Sequence, residues 1–390
     1  MHLADRLGWV SASQTQQVLA TVQKLRRDGA DIIDLGAGEP DFATPDHICS
    51  AAVAAIHEGH TKYTAGSGIM ELREALAAHY CERTGVNYAK ESVVVTSGGK
   101  QGLFNVALAL FGPGDEVVTH VPGWPSIGEQ VRLSGADLVR VRASAENGFR
   151  LSATTIVDAI TPRTRAVIIN SPGNPTGALI SETELAQLVS EIEDRDIWLV
   201  LDLCYEQLVY DDDPHNLVGI ACSRIPEHTV IVGSASKSYA MTGWRCGWIL
   251  ALPEVAAACN VIQSHSTSHS TSISQYAALA ALTGPQACVE TMRNEYRRRR
   301  DVVFDWLKAD ERFRATSPAG AFYLFPDVSR LLDLDGPRTS AELTQRILVE
   351  GHVALTAGEV FDAPGYVRLS YATSFEKLEE AWNRIQRVLR

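Results

Sequence analysis

Short apolar runs alternate with helix-like stretches from about residue 45 to residue 283. Seven runs are bounded by turn residues and read as strands: Ser92–Thr96, Glu116–His120, Asp137–Val141, Ala166–Ile169, Trp198–Leu201, Thr229–Val232 and Gly247–Ala251. Between them, Gly99–Leu110, Trp124–Leu133, Ser181–Arg195 and Ser272–Leu282 carry the helical period. This alternation predicts an α/β fold, a mostly parallel seven-stranded sheet with helices on both faces. Ligands of such sheets sit beyond the carboxyl ends of the strands.

The two ends of the chain have a different texture. Val10–Asp28 reads as a helix with apolar positions Val18, Leu19, Val22 and Leu25, and Asp31–Leu35 as a short strand. After Thr283-Gly-Pro285 comes a long polar helix, Gln286–Lys308, containing the run Arg297–Arg300. Strands at Ala321–Phe325 and Tyr366–Ser370 follow, then a last helix from Phe375. The pattern predicts a large domain over 45–283 and a smaller α/β domain made of 1–44 and 284–390. The arginine run reads as a solvated helix face.

Composition narrows the function. The 390 residues carry a formal net charge of −12, which argues against nucleic acid or an anionic membrane as partner. No apolar run is long enough to span a bilayer, and the first residues have no apolar signal core. The 7 cysteines are scattered without a Cys-x-x-Cys pair, so neither a metal site nor a disulfide framework is expected, and a cytoplasmic location fits.

Distinctive residues fall just after the predicted strands. Lys237 lies in Gly233-Ser-Ala-Ser-Lys237-Ser-Tyr-Ala-Met-Thr-Gly-Trp-Arg245, behind the apolar run Thr229–Val232. A lysine amine forms a Schiff base with a carbonyl cofactor, and Arg245 suits a phosphate on the same molecule. Alone, the lysine reads more readily as a solvated loop residue. Ser97-Gly-Gly99-Lys100 opens a helix whose amides suit an anion, or is an ordinary turn. Asn170-Ser-Pro-Gly-Asn174-Pro-Thr-Gly177 holds an amide rigidly after a buried strand. Asp202 ends another, where a carboxylate is costly unless paired or hydrogen-bonded; a helix cap is the other reading. Tyr205 stands three residues on. Trp124 either stacks on a flat ring or packs in a core. Tyr63 is a phosphate partner or a surface tyrosine. Arg368 is a lone charge in an apolar strand, suited to a bidentate carboxylate. Jointly and in this order, these residues leave the ordinary readings little room.

The order of motifs, from Asp34-Leu-Gly-Ala-Gly-Glu-Pro-Asp-Phe42 to Arg368-Leu-Ser-Tyr-Ala-Thr-Ser374, resembles the class I/II aminotransferases that use pyridoxal 5′-phosphate (PLP). The chain is similar to the bacterial branch holding aspartate and aspartate/prephenate aminotransferases. That resemblance implies Lys237 as covalent anchor and proton shuttle, and Asp202 as partner of the pyridine nitrogen. It implies Asn174 and Tyr205 at the ring hydroxyl, and Trp124 stacked on the ring. Gly99, Lys100, Ser234 and Arg245 would hold the phosphate, joined by Tyr63 of a neighbouring subunit in a homodimer with shared sites. Arg368, the Gly38 backbone and Asn174 would hold the substrate α-carboxylate. The implied reaction moves an amino group from an L-amino acid, aspartate first, to a 2-oxo acid, 2-oxoglutarate first, by a ping-pong mechanism.

Departures from the pattern bear on the substrate. Leu203 stands where the branch commonly has an acid, and Gly123 replaces a frequent aromatic, which would widen the pocket. His265 and His269 are additional, and read as solvated. Lys100 is a candidate for a second substrate carboxylate or a structural lysine. Transamination of an aromatic or specialised amino acid, and a PLP-dependent β-lyase, stay open as alternatives. A non-catalytic ligand sensor is disfavoured, because no helix-turn-helix or basic extension flanks the chain.

Overall fold

The computed structural model describes residues 3–12, 14–210, 216–333 and 336–390, with the side chains at 14–17 and 19 left undescribed. Its strands are β1 (Ile33–Asp34), β2 (Val93–Thr96), β3 (Glu116–Val121), β4 (Asp137–Arg142), β5 (Thr164–Asn170), β6 (Trp198–Asp202), β7 (Thr229–Ser234), β8 (Gly247–Leu250), β9 (Tyr323–Leu324), β10 (Val353–Ala354), β11 (Thr356–Ala357) and β12 (Val367–Ser370).

Seven of them form one sheet in the order β2-β8-β7-β6-β5-β3-β4. The pairs β4–β3, β3–β5, β5–β6 and β6–β7 are parallel, and only β8 runs against its two neighbours. Every residue of β2, β3, β7 and β8 is buried. That is why β2 and β7 read as continuous Val/Ile runs: helices cover both faces, so both sides of the strand are apolar. The chain is α/β with a mostly parallel seven-stranded sheet, as the alternation predicts.

The carboxyl ends of β5, β6 and β7 lie side by side, with Asn170 paired to Asp202 and Asp202 to Val232. Asn170, Asp202 and the approach to Lys237 therefore share one edge. Opposite that edge stands a three-stranded sheet, β11-β12-β9, and a two-stranded pair, β1–β10. A second core surrounds them, built from Leu35, Phe322, Leu324, Leu343, Val353, Leu369 and Ile385. Tyr205, Leu208 and Tyr210 reach into it from the turn after β6.

Three expectations are corrected here. The N-terminal helix begins at Gln14, not Val10, and runs to Arg27. Val22 is fully buried and Val18 and Leu25 pack beside it; the Leu19 side chain lies outside the described residues. The segment before the helix is drawn elsewhere: the Ser11 amide donates to Glu129 at 3.0 Å. The strand expected at Asp31–Leu35 shrinks to Ile33–Asp34. The arginine run is only partly solvated. Arg298 is exposed, but Arg299 is 6% exposed and pairs with Asp41 at 2.8 Å and Glu295 at 2.9 Å.

Candidate active site

Lys237 follows β7 through a one-turn helix, Ala235–Ser238. Ser234 caps that turn, accepting from the Ser236 amide at 3.1 Å and donating to the Ser236 hydroxyl at 2.8 Å. The cap fixes where Lys237 leaves the backbone. Its Nζ donates to the Gly38 carbonyl at 2.5 Å. Burial pushes the Lys237 amine down to about 8, against the partial compensation of Cys204 and Glu39. A lysine in that state has a neutral, nucleophilic fraction near pH 7.

Asp202 ends β6 at 1% exposure. Its carboxylate accepts from the Cys204 amide at 3.2 Å, and burial pushes its pKa up to about 6. Among the described residues no cation pairs with it. A buried carboxylate in that condition is unfavourable until a cation arrives.

Asn174 is set by the turn after β5. Asn170 reaches forward to accept its amide at 2.9 Å. The Val121-Pro122, Ser171-Pro172 and Asn174-Pro175 peptide bonds are cis. The Asn174 side-chain oxygen accepts from Arg368 Nη1 at 2.8 Å, and the Gly36 carbonyl accepts from Arg368 Nη2 at 2.6 Å. Arg368 is 3% exposed on β12, with its guanidinium 4.5 Å above the Tyr323 ring. Its Nε is buried without a hydrogen-bond partner among the described residues. Asp34 shapes the facing turn by accepting the amides of Gly36 at 2.9 Å and Ala37 at 3.0 Å.

The anion-binding end lies at the start of the helix Gly99–Leu110. Gly98 has φ +84°, and a Cβ there would stand 2.5 Å from Arg245 Nη2. Only glycine lets the guanidinium approach this backbone. Arg245 donates to the Thr242 carbonyl at 2.9 Å and has no carboxylate partner among the described residues. Lys100 Nζ sits 5.0 Å over the Trp124 ring, and burial with the nearby Arg245 holds its pKa below the usual lysine range.

One cavity of about 340 Å³ is lined by Gly38, Gly99, Lys100, Trp124, Asn174, Asp202, Tyr205, Ser234, Lys237, Arg245 and Arg368. Of the residues expected to hold cofactor or substrate, Tyr63 alone is not there. It is 91% exposed, with its ring edge-on to His269 at 5.7 Å. His265 is exposed as expected, while His269 is half-buried. Gly123 lines a neighbouring cavity instead, and a Cβ on it would strike the His120 carbonyl at 2.3 Å. The glycine answers to that turn.

Sequence reading passed over Asp34, Cys204 and Tyr323, all on the cavity wall. Asp34 carried a usable signal, an acid two residues before a glycine. Tyr323 looked like one more aromatic in a core strand, and nothing in its neighbours along the chain distinguishes it.

The family described as aminotransferase class I and II matches residues 30–385. The chain is 41% identical over 389 residues to an aspartate aminotransferase of Geobacillus stearothermophilus, covering 100% of this chain and 99% of that one. It is 42% identical over 390 residues to an aspartate/prephenate aminotransferase of Thermus thermophilus, covering 99% and 98%. The solved aspartate aminotransferase of Thermus thermophilus with maleate superposes with a TM-score of 0.94 at 41% identity, covering 100% of both chains.

Proposed function

The chain belongs to the class I and II aminotransferase family, and we propose that it moves the amino group of aspartate to 2-oxoglutarate with PLP as cofactor. The observation that carries this reading is the pattern of unmatched groups around one cavity. It holds a desolvated lysine, a buried carboxylate without a cation, and two arginines without carboxylates. PLP has a complement for each: an aldehyde, a basic ring nitrogen and a phosphate. The remaining arginine suits the substrate.

Asp202 would hold the ring nitrogen protonated, since the added cation removes the penalty its burial imposes. Asn174 and Tyr205 would donate to the ring hydroxyl, and Trp124 would cover one ring face. The Gly99 and Lys100 amides, Ser234 and Arg245 would hold the phosphate at the helix start. Arg368, with Asn174 and the Gly38 backbone, would grip the substrate α-carboxylate. When bound, PLP supplies a carbonyl for Lys237 and a ring that takes up electron density from the substrate. Lys237 Nζ would be the group that takes the proton from the substrate α-carbon and gives it back. Its pKa near 8 suits both directions close to neutral pH. Donor and acceptor acids use the same groups in turn, so the kinetics are ping-pong.

Lys100, over Trp124 at the cavity wall, is the side chain we assign to the second carboxylate of aspartate. The close similarity to aspartate aminotransferases supports that substrate. We read residues 45–283 as the cofactor-binding domain and 1–44 with 284–390 as the smaller one. The largest hydrophobic clusters mostly follow that division, with Tyr205, Leu208 and Tyr210 crossing it from one side and Phe325 and Phe361 from the other. We also read the protein as a cytoplasmic homodimer, with Tyr63 completing the partner's site. Its 91% exposure leaves it free to reach another copy of the chain. Among the described residues no helix is long and apolar enough to cross a membrane.

The test is a panel of amino donors against 2-oxoglutarate, with pyruvate and ammonia release from a cysteine-type substrate measured alongside. Aspartate should exceed the aromatic donors at least tenfold in kcat/KM. A preference for aromatic donors, or elimination exceeding transfer, would replace this reading. Purified protein should be yellow, and borohydride should fix PLP to it. Lys237→Ala should fold normally and lose that attachment.

A further inference from the structure

We propose that Tyr323 is a positioning residue that directs the Tyr205 hydroxyl and, with the same ring, supports the Arg368 guanidinium. The assignment rests on the amino-transfer reading of the cavity. Tyr323 is fully buried in β9, where it pairs with Ser370 of β12. Arg368 lies two residues before Ser370, so its side chain shares the face on which Tyr323 stands. The ring lies 4.5 Å beneath the guanidinium carbon. A cation held over an aromatic face in a dry site is stabilised there. The ring is a floor that sets the height of the arginine.

The other end of the same side chain crosses to the large sheet. Its hydroxyl lies 2.8 Å from that of Tyr205, in the turn after β6. Gly38 leaves room for it, since a Cβ there would stand 3.0 Å from the Tyr323 oxygen. A phenol has one proton to give. If Tyr205 gave its proton to Tyr323, it would offer a ring oxygen nothing but lone pairs. Tyr205 can donate to the cofactor only when Tyr323 donates to Tyr205. Among the described residues Tyr205 is the only hydrogen-bond partner of the Tyr323 hydroxyl, so that direction leaves no proton misplaced. Burial keeps both phenols protonated. One side chain thus links the grip on the substrate carboxylate to the donor at the cofactor ring.

Two substitutions separate the two contacts. Tyr323→Phe keeps the ring and the fold and removes the hydroxyl alone. Tyr323→Leu removes both. The readouts are the pH midpoint of the absorption change of the PLP-loaded protein and the Kd for succinate, an unreactive dicarboxylate. Hydrogen bonding to the ring oxygen favours its anionic form, so a weaker donor raises the midpoint. Tyr323→Phe should raise it by about 0.5–1 pH unit and leave the succinate Kd within about twofold. Tyr323→Leu should raise the midpoint equally and weaken succinate by about 3–30-fold. In a Tyr205→Phe background the loss of the Tyr323 hydroxyl should add no further shift, because its route is gone. An unshifted midpoint in Tyr323→Phe, or a shift that persists in the Tyr205→Phe background, overturns the assignment while leaving amino transfer intact. Absence of any PLP absorption band would instead remove the amino-transfer reading, and this assignment with it.

Discussion

Asp202 shows how one buried carboxylate couples stability to cofactor. Its folded pKa is raised to about 6 from an ordinary 3.8, with burial the main cause. Between those values the folded chain holds a proton that the unfolded chain has released. Stability contributed by the protonated form is therefore present below about pH 4 and is lost as pH rises through 6. The full cost of the buried charge is about 3 kcal/mol at most, for a shift of roughly two units. In cofactor-free protein, Asp202→Asn should be more stable than the unaltered chain at pH 8 by up to that amount. The advantage should vanish by pH 4, as read from urea midpoints. With PLP added, the order should reverse, because the carboxylate then has its cation. A variant already less stable at pH 8 without PLP would mean that Asp202 has another partner.

At the scale of elements, legibility followed burial and distance along the chain. The inner strands of the central sheet were legible because they are buried on both faces; β7 follows the apolar run Thr229–Val232 and continues two residues beyond it to Ser234. The short strands were not, because β1 exists only by pairing Ile33 with Val353, a partner 320 positions away. The helix Ala287–Lys308 was placed well in sequence but its arginines were misjudged. Charge in a row looks solvated; Arg299 is instead held by Asp41, 258 residues distant, through two contacts at 2.8 and 3.0 Å. Its guanidinium also faces the Phe42 ring at 5.4 Å. The helix thereby anchors the segment that begins with the Gly36–Gly38 turn of the cavity. Arg299→Met would leave Asp41 without its cation, while Glu295 keeps Arg298 at 2.8 Å, and should cost about 2–3 kcal/mol. Arg298→Met, with a side chain 54% exposed, should stay within about 0.5 kcal/mol. Thermal unfolding of the two variants side by side checks this, and equal losses would show that Arg299 is as replaceable as its neighbour.

For the whole molecule, most cavity residues were legible because their motifs lie in or beside elements that the apolar pattern had already located: Asp202 ends β6, Lys237 follows β7, Gly99 opens a helix and Arg368 lies in β12. Tyr63 is the instructive exception. Its motif marked it for the site, yet it stands 91% exposed and away from the cavity. Tyr63 does not reach this chain's own cavity; on the proposed dimer it would reach the partner's. The two placements differ in what a mixed dimer does. Take one subunit with Lys237→Ala and the other with Tyr63→Phe. If Tyr63 serves its own chain, neither site is whole, and the hybrid has no more activity than half of the Tyr63→Phe enzyme. If it serves the partner, one site carries both substitutions and the other carries neither. The hybrid should then regain close to half the activity of the unaltered dimer, with that enzyme's own KM values. Co-expression with two affinity tags, followed by purification through both, yields the hybrid for assay. Activity no higher than the in-chain expectation would return Tyr63 to the surface and leave the phosphate to Ser234, Arg245 and the helix start alone.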